Sequence, residues 1–241
     1  MTVFSASNLT YHFGQRLAVD DIALTAEERE IVGVIGPNGA GKTTLFKLLS
    51  GQLISKTGSI ELAGTRIERR NLANRCKLGL AYIPQESSIL KDFTVKENLD
   101  FGLFKIPKAR RKKRQFELLK SYGLETVADS FGSTLSGGER RRVELARALA
   151  VTPKVLLADE PFAALDPIAV QDVSTRLREI AHAGTAVVLT DHDVSQSLAI
   201  CDRVYVMYEG RFICSGHPNE VAQNRLVRDT YLGTHYGRAK K

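Results

Sequence analysis

The chain has 241 residues, of which 43% are hydrophobic and 25% are charged, and its formal net charge is +7. This composition suits a globular protein with one sizeable core and an additional subdomain. No apolar run approaches the roughly 20 residues that a membrane-spanning helix needs. Residues 1–4 lack the features of a secretory signal, and three cysteines without metal-ligand spacing argue against a disulfide framework. We therefore expect a cytoplasmic protein.

The excess of positive charge favours an anionic environment, either nucleic acid or the acidic surface of a membrane. Much of it lies in two stretches, residues 105–114 and 238–241. Neither stretch has the interleaved aromatic residues of a groove that binds single-stranded nucleic acid. A solvated helix face and a polar chain end are the simplest interpretation, so the charge alone does not choose a partner.

The first third of the chain is predicted to contain mainly strands. Residues 4–24 are rich in β-formers around a turn at Gly14-Gln15, which predicts an antiparallel hairpin. The apolar run 31–35 predicts a buried strand, and leucines at helical spacing predict a helix over 43–49 that ends at Gly51. Two further short strands are predicted at 58–64 and 81–83.

The chain becomes helical from residue 87 to residue 150. Pro107 is placed to begin a helix in which Phe116 and Leu119 face inward and the basic residues face solvent. Ser136 suits an N-cap, with Glu139 completing a capping box. Strands then return, which predicts an α/β core interrupted by a helical insertion. The later strands are expected at 155–158, 186–189 and 203–207.

The segment 36–43 satisfies the pattern G-x-x-x-x-G-K-[ST] between a predicted strand and a predicted helix. Its backbone N–H groups would surround a β-phosphate, and Lys42 would reach the β- and γ-phosphates. Thr43 would offer its hydroxyl to Mg²⁺, and Thr44 would contact the α-phosphate. We therefore expect ATP and Mg²⁺ as ligands. The predicted nucleotide-binding residues here are Gly36, Pro37, Asn38, Gly39, Ala40, Gly41, Lys42, Thr43 and Thr44.

The apolar strand at 155–158 ends in the acidic pair Asp159-Glu160. By itself such a pair is most simply the solvated end of a strand. A buried strand before it and a Pro161 loop after it favour a catalytic role instead. We expect Asp159 to hold magnesium through water, and Glu160 to act as the general base or to orient the attacking water.

A second glycine-rich element, Leu135-Ser136-Gly137-Gly138-Glu139, lies between the phosphate loop and this acidic strand. A chain with these three elements in this order resembles the ABC ATPases, the nucleotide-binding subunits of ABC transporters. The resemblance implies an α/β P-loop NTPase fold, with a RecA-like core, an N-terminal antiparallel β subdomain and an inserted α-helical subdomain.

This resemblance also implies domain boundaries and a homodimer. Residues 1–87 and 154–235 would form the nucleotide-binding core, residues 88–153 the helical signature subdomain, and residues 236–241 a tail. In the family, the signature element binds the ATP that a neighbouring copy holds. Ser136, Gly137 and Gly138 are therefore expected at the nucleotide of the partner copy.

Three further roles rest on the resemblance. His192 matches the switch histidine that contacts the γ-phosphate, so the expected catalytic residues are Lys42, Glu160 and His192. Gln85 matches the glutamine that contacts Mg²⁺ and joins the core to the helical insertion. Phe13 is preferred for stacking on the adenine, with Tyr11 as the open alternative, since alternation places both on one strand face.

Within the family, residues 82–89, 135–143, 159–163 and 231–233 resemble the lipopolysaccharide-export ATPases. That resemblance implies two transmembrane partner subunits, gripped by a groove around residues 85–93, at the cytoplasmic face of the inner membrane. Departures from that pattern occur at Leu90, Ala164, Leu165 and Tyr236.

Other functions remain open at this level. An ATPase of a branched-chain amino-acid importer is the nearest alternative. A soluble ABC protein acting on nucleic acid or ribosomes is less favoured, because this chain has a single cassette and a short insertion; no nucleic-acid partner is expected. A module that binds ATP without hydrolysis is disfavoured because Lys42, Asp159, Glu160 and His192 are all present.

Overall fold

The computed structural model describes residues 1–233, and the predicted tail 236–241, which includes Tyr236, lies outside the described residues. The strands are β1 (Thr2–Phe13), β2 (Arg16–Glu27), β3 (Ile31–Ile35), β4 (Ser59–Leu62), β5 (Thr65–Arg66), β6 (Leu80–Ile83), β7 (Val155–Asp159), β8 (Ala186–Thr190), β9 (Arg203–Tyr208) and β10 (Arg211–Gly216). The helices are α1 (Lys42–Ser50), α2 (Leu72–Leu78), α3 (Val95–Gly102), α4 (Lys108–Ser121), α5 (Gly137–Ala148), α6 (Pro167–His182), α7 (Val194–Ile200), α8 (Pro218–Gln223) and α9 (Arg225–Val227).

A six-stranded sheet, in the order β10-β9-β3-β8-β7-β6, forms the centre of the fold. Its pairs are parallel except for the antiparallel β9–β10 pair. Strands β3, β7 and β8 are buried at every position, as expected for parallel strands covered on both faces. The carboxyl ends of these three strands meet at one edge, where ligands bind in open α/β sheets.

A second sheet, β2-β1-β4-β5, is antiparallel. Strands β1 and β2 form the hairpin predicted from the sequence, with Gly14-Gln15 between them. Phe4 and Leu24 from this sheet belong to one buried cluster with Phe46 of α1 and Val34 of β3. Helix α1 therefore packs into a core that both sheets share, which fixes its first turn relative to the end of β3.

Helices α3, α4 and α5 lie between β6 and β7 in the chain. The predicted capping box of Ser136 and Glu139 at the start of α5 is confirmed. The division of the chain into a core and a subdomain of residues 88–153 stays a prediction.

The expectation that Phe116 faces inward is wrong, because its side chain is 61% exposed. Leu119 is buried as expected, and Leu118 rather than Phe116 accompanies it on the inward side of α4. Nearer the helix start, Arg111 and Arg114 take the inward positions, and their guanidinium groups donate to backbone carbonyls of neighbouring segments. Arginines therefore take the inward side of this part of α4, and Phe116 lies outside that side and points to solvent.

Arg75 on α2 is fully buried and fastens the end of α1. Its Nη1 donates to the carbonyls of Leu48 and Leu49 at 2.6 and 2.8 Å, both in the last turn of α1. Its Nε and Nη2 donate to the carbonyls of Arg70 and Glu68 at 2.8 and 3.0 Å. Burial lowers the pKa of Arg75 to about 10, so the side chain is cationic at neutral pH. One side chain thus serves carbonyls that α1 cannot satisfy itself.

We predict that Arg75→Lys lowers the free energy of unfolding by about 3 kcal/mol, because one ammonium cannot serve four carbonyls, two of them buried, in a fixed fork geometry. Urea denaturation measures the change. The matched control is Arg69→Lys at an exposed position of the preceding loop, which should change stability by less than about 0.5 kcal/mol. Equal stability of the two variants would contradict this role of Arg75.

Candidate active site

The phosphate-loop segment runs from the end of β3 to the start of α1, and two of its glycines are required by close backbone contacts. A Cβ on Gly36 would lie 2.1 Å from the carbonyl oxygen of Met207 in β9. A Cβ on Gly41 would lie 2.3 Å from the carbonyl oxygen of Ala18 in β2, and its φ of 108° is in the left-handed region. The loop is therefore held tightly against β2 and β9.

Lys42 is the first residue of α1, and its side chain folds back over the loop. Its Nζ donates to the carbonyls of Gly36 and Pro37 at 2.7 and 3.0 Å. Burial lowers the pKa of Lys42, and the carboxylates of Glu160 and Asp159 act in the opposite direction. An ammonium and the N-terminal N–H groups of a helix thus share one small region, which suits a polyanion.

A cavity of about 510 Å³ opens beside this loop. Phe13 lies at its wall with its ring 51% exposed, whereas Tyr11 lies edge-on to Phe13 at 5.1 Å and packs against the core. The cavity also brings in the predicted residues Gln85 and Glu160, which lie far apart in sequence. The other predicted residues that line it are Asn38, Gly39, Gly41, Lys42, Thr43 and Thr44.

Some lining residues were not predicted from the sequence. They come from β2 and from the turn between β9 and β10, elements that approach the loop only through long-range packing. No local motif marks them. They are Arg16, Leu17, Ala18, Glu209 and Gly210.

Asp159 ends β7 with a side chain that is 1% exposed. Tyr82 Oη lies 3.5 Å from its Oδ2, while Oδ1 is buried without a hydrogen-bond partner among the described residues. Burial, followed by the negative charge of Glu160, raises the pKa of Asp159 to about 6. Its ionised form is therefore held at a cost in stability.

Glu160 follows Asp159 in a left-handed conformation with a φ of 49°. Its backbone N–H donates to the Thr190 carbonyl at 2.9 Å, and its own carbonyl accepts from Arg141 at 3.2 Å. Gln85 Nε2 donates to its Oε2 at 3.0 Å. These bonds hold a strained residue in one orientation, which is common at functional sites.

His192 lies close to this carboxylate, just beyond the end of β8. Its Nδ1 is 3.6 Å from Glu160 Oε2 and 3.4 Å from Asp191 Oδ1. The structure therefore brings together Gln85, Glu160 and His192, three predicted residues that follow three different strands.

Ser136, Gly137 and Gly138 lie outside this cavity. They line a separate groove with residues 164–166 and the first turn of α6. The hydroxyl and backbone N–H of Ser136 donate to Glu139 Oε2 at 2.7 and 2.8 Å, and these bonds, the hydroxyl's first, lower the pKa of Glu139. Glu139 thus points toward the start of its own helix, as the sequence predicted. Within one chain, the two glycine-rich elements do not share a site.

Glu144, which no sequence motif marks, ties α5 to the segment that follows Gln85. Its Oε1 accepts from Ser87 Oγ at 2.9 Å and from Ser88 N–H at 2.6 Å. Its Oε2 pairs with Arg141 Nη1 at 3.0 Å, and both side chains are buried. The signal was a carboxylate in the apolar stripe of a helix, three residues after an arginine, since a charge is buried only when it is paired.

Together, the phosphate loop at the end of β3 and the acidic end of β7 define a P-loop nucleotide-binding protein. The sequence model of the family "ABC transporter" matches residues 19–163, more than half of the chain. The chain belongs to the ABC transporter family. As a member of this family, it binds ATP and is an ATPase.

Similar proteins match nearly the whole chain. The "Lipopolysaccharide export system ATP-binding protein LptB" of Haemophilus influenzae is 41% identical over 241 residues, covering 98% of this chain and 99% of the relative. The protein of the same name from Escherichia coli K12 is 41% identical over 236 residues, covering 97% and 98%.

Solved structures agree with the fold. A nucleotide-free ATP-binding cassette from an ABC transporter superposes with a TM-score of 0.88 at 27% identity, covering 97% of this chain and 100% of the other. The ADP conformation of an ATP-binding cassette of an ABC transporter gives a TM-score of 0.87 at 28% identity, covering 97% and 99%.

The predicted family, fold class and ATPase activity are confirmed by these comparisons. Over residues 1–233, the structure contains no helix that is both long and apolar enough to span a bilayer. The roles of the individual site residues stay predictions.

We predict that Asp159→Asn stabilises the protein in metal-free buffer at pH 8, by about 2–3 kcal/mol. The pKa of Asp159 is higher in the folded chain than its usual 3.8, so its ionised form destabilises the fold. That cost is present above about pH 6 and disappears as the pH falls through 6 toward 4, when the folded carboxyl takes up its proton. Urea denaturation at pH 8 and pH 5 should show a gain that shrinks at the lower pH; a gain of equal size at both would be inconsistent with this origin.

Proposed function

We propose that this chain is the ATP-hydrolysing subunit of an ABC transporter that exports lipopolysaccharide from the inner membrane. The assignment of lipopolysaccharide as the cargo rests on the 41% identity, over almost the full length of both chains, to proteins named for lipopolysaccharide export. The amino-acid importer and the soluble ABC protein draw no comparable support. ATP binding and hydrolysis rest on membership of the family and on the cavity beside the phosphate loop.

ATP would occupy the cavity with its adenine on Phe13 and its phosphates on residues 36–44. Phe13 offers a half-exposed ring at the cavity wall, while the ring of Tyr11 is engaged by the core. Lys42 supplies positive charge over the loop. Thr43 and Thr44, in the first turn of α1, line the cavity, and the N–H groups of a first helical turn favour an anion. This arrangement supports a nucleoside triphosphate as the ligand of the cavity.

Thr43, Gln85 and Asp159 would hold Mg²⁺. Hydroxyl, amide and carboxylate oxygens are the donors that this ion prefers. The buried Oδ1 of Asp159, which has no partner among the described residues, fits such a ligand. When bound, the ion would neutralise charge on the β- and γ-phosphates.

Glu160 would orient the attacking water and accept its proton as the water oxygen bonds to the γ-phosphorus and the bond to the bridging oxygen breaks. Gln85, at 3.0 Å, holds the carboxylate in place. His192, 3.6 Å away, would contact the γ-phosphate and maintain this geometry. Lys42 would stabilise the charge that spreads over the departing phosphate.

Two copies would join head to tail, each completing the other's site. Ser136, Gly137 and Gly138 lie away from the cavity of their own chain, at the N-terminal end of α5. Their small side chains allow a phosphate to approach the backbone, and the helix end favours an anion. The ATP of a partner copy is the ligand that this element would bind.

On each copy, a groove of about 390 Å³ on the helical side would receive a segment of one transmembrane subunit. Ser88, Leu90, Phe101 and Phe104 contribute to its lining. Ser88 also contacts Glu144 and Arg147 of α5, so closure at the nucleotide would reach this groove through hydrogen bonds. These partners would hold the chain at the cytoplasmic face of the inner membrane, with no nucleic acid involved.

We predict that Glu160→Gln slows ATP hydrolysis by at least about 100-fold, because the proton acceptor is lost. With hydrolysis blocked, ATP should keep two copies joined. Size-exclusion chromatography with light scattering, at saturating ATP and magnesium, should show a dimer for the variant. A monomer under these conditions would overturn the head-to-tail arrangement.

We predict that Ser136→Arg abolishes hydrolysis but changes the affinity of the monomer for ATP by less than about twofold, since the P-loop site is intact. ATPase assays and equilibrium binding of a fluorescent ATP analogue measure the two effects. Ser7→Arg, at an exposed position of β1, places the same side chain outside the proposed interface and should leave both properties unchanged. Loss of binding together with hydrolysis would count against action across the dimer.

The cargo is tested by affinity purification from detergent-solubilised membranes, with identification of the co-purifying transmembrane chains. A pair whose addition makes ATP hydrolysis responsive to lipopolysaccharide supports the proposal. An amino-acid permease pair would overturn the cargo and leave the ATPase assignment in place.

A further inference from the structure

Helix α4 carries the densest positive charge in the chain. Seven of its fourteen residues are basic and one is acidic, in a chain whose formal net charge is +7. The acidic residue, Glu117, pairs with Arg114 of the same helix at 3.4 Å. The rest of this charge requires an explanation that the ATPase chemistry does not supply.

Two arginines of α4 are used inside the fold. Arg111 donates to the carbonyls of Ile106 and Phe104 at 2.7 and 2.9 Å. Arg114 reaches the carbonyls of Leu149 and Ala150, at the end of α5, at 3.2 and 3.4 Å. These bonds attach the inner face of α4 to the two segments, 101–105 and 147–151, that contribute walls to the docking groove.

Four of the five remaining cations form an outward patch; the fifth, Lys108, is the first residue of the helix. Arg110, Lys112, Lys113 and Lys120 are exposed, and within residues 1–233 their side chains make no ion pair or hydrogen bond. Phe116 lies among them, because Lys112, Lys113 and Lys120 are its neighbours at i−4, i−3 and i+4. A simple solvated helix face carries polar side chains, whereas this face exposes a phenylalanine among three lysines.

We propose that this patch, Arg110, Lys112, Lys113, Phe116 and Lys120, binds the anionic phospholipid headgroups of the membrane surface. Lysine and arginine on a polar helix face attract anionic lipid, and a single aromatic side chain among them can enter the boundary between headgroups and acyl chains. The bonds from the inner face of α4 to the groove walls give this helix a fixed place beside the transmembrane partner. The proposal requires the outward face of α4 to meet the bilayer beside this partner.

A membrane surface fits this patch better than nucleic acid does. Proteins that track single strands present several aromatic rings for successive bases, whereas this face has one. The orientation of the patch toward the membrane rests on the docking groove proposed above, but it does not depend on the proposed cargo. Lipid binding is measurable on the isolated chain, so its failure leaves the proposed transport function standing.

The experiment is co-sedimentation of the purified full chain with vesicles of phosphatidylcholine alone and of an equimolar mixture with phosphatidylglycerol. The test variant combines Arg110→Gln, Lys112→Gln, Lys113→Gln and Lys120→Gln. The control removes four exposed charges from other parts of the chain with Arg29→Gln, Lys56→Gln, Arg69→Gln and Arg225→Gln.

We expect the parent chain to bind the anionic vesicles, the test variant to lose at least about tenfold in partition coefficient, and the control to keep most of the binding. Phe116→Ser should reduce the binding that persists at high salt, where charge attraction is screened. ATPase activity should be unchanged in all variants. If the fourfold test variant loses its thermal unfolding transition, Lys112→Gln with Lys113→Gln decides in its place.

Equal loss in the test and control variants would overturn the proposal, since net charge rather than the patch would then be responsible. Equal binding of the parent and the test variant would overturn it as well. Stronger binding to a DNA duplex than to anionic vesicles, removed by the same four substitutions, would replace the membrane with nucleic acid as the partner.

Discussion

The carboxyl ends of parallel strands place several charges at one edge of the sheet, and the active site depends on their balance. Asp159 and Asp191 are almost fully buried there, close to the ammonium of Lys42. Burial acts against every one of these charges: it raises the pKa of the carboxyls and lowers the pKa of the lysine. Opposite charges nearby limit the shift of Lys42 and Asp159. A fold that keeps such a cluster must hold it rigidly, and the buried strands β3, β7 and β8 supply that rigidity.

A second set of polar contacts joins the parts of the site that do not touch each other. Helix α5 is capped by Ser136, in the element proposed to meet the partner's nucleotide. Three residues of its body, Arg141, Glu144 and Arg147, bond to the Glu160 carbonyl and to residues 87–88. A displacement of this helix would therefore move both the catalytic Glu160 and the wall of the docking groove. Because a buried ion pair is costly to break, the linkage favours movement of the segments as one body.

The features that could be predicted from the sequence are those encoded locally. The phosphate loop, the acidic end of β7 and the capping box of Ser136 each depend on residues within a few positions of one another. Arg75 and Glu144 were missed because their roles come from packing between distant segments, where a charged side chain satisfies buried backbone groups. The inward orientation expected for Phe116 failed for a related reason. Hydrophobicity alone does not reveal when arginines bonded to backbone carbonyls take the inward side of a helix.

The outward position of Phe116 links the fold to the chemistry of the surface of α4. Arg111 and Arg114 use their charges inside the protein, so they anchor α4 to the groove walls and leave the opposite face to Phe116 and its lysines. In a surface helix with no binding role, we would expect the phenylalanine to be buried in the core and the lysines to pair with acidic neighbours. Here the aromatic ring is exposed and the lysines stay unpaired within the described part of the chain. The exposed ring lowers the solubility of the isolated protein and the unpaired lysines repel one another; binding of the patch to an anionic surface, as proposed above, would relieve both.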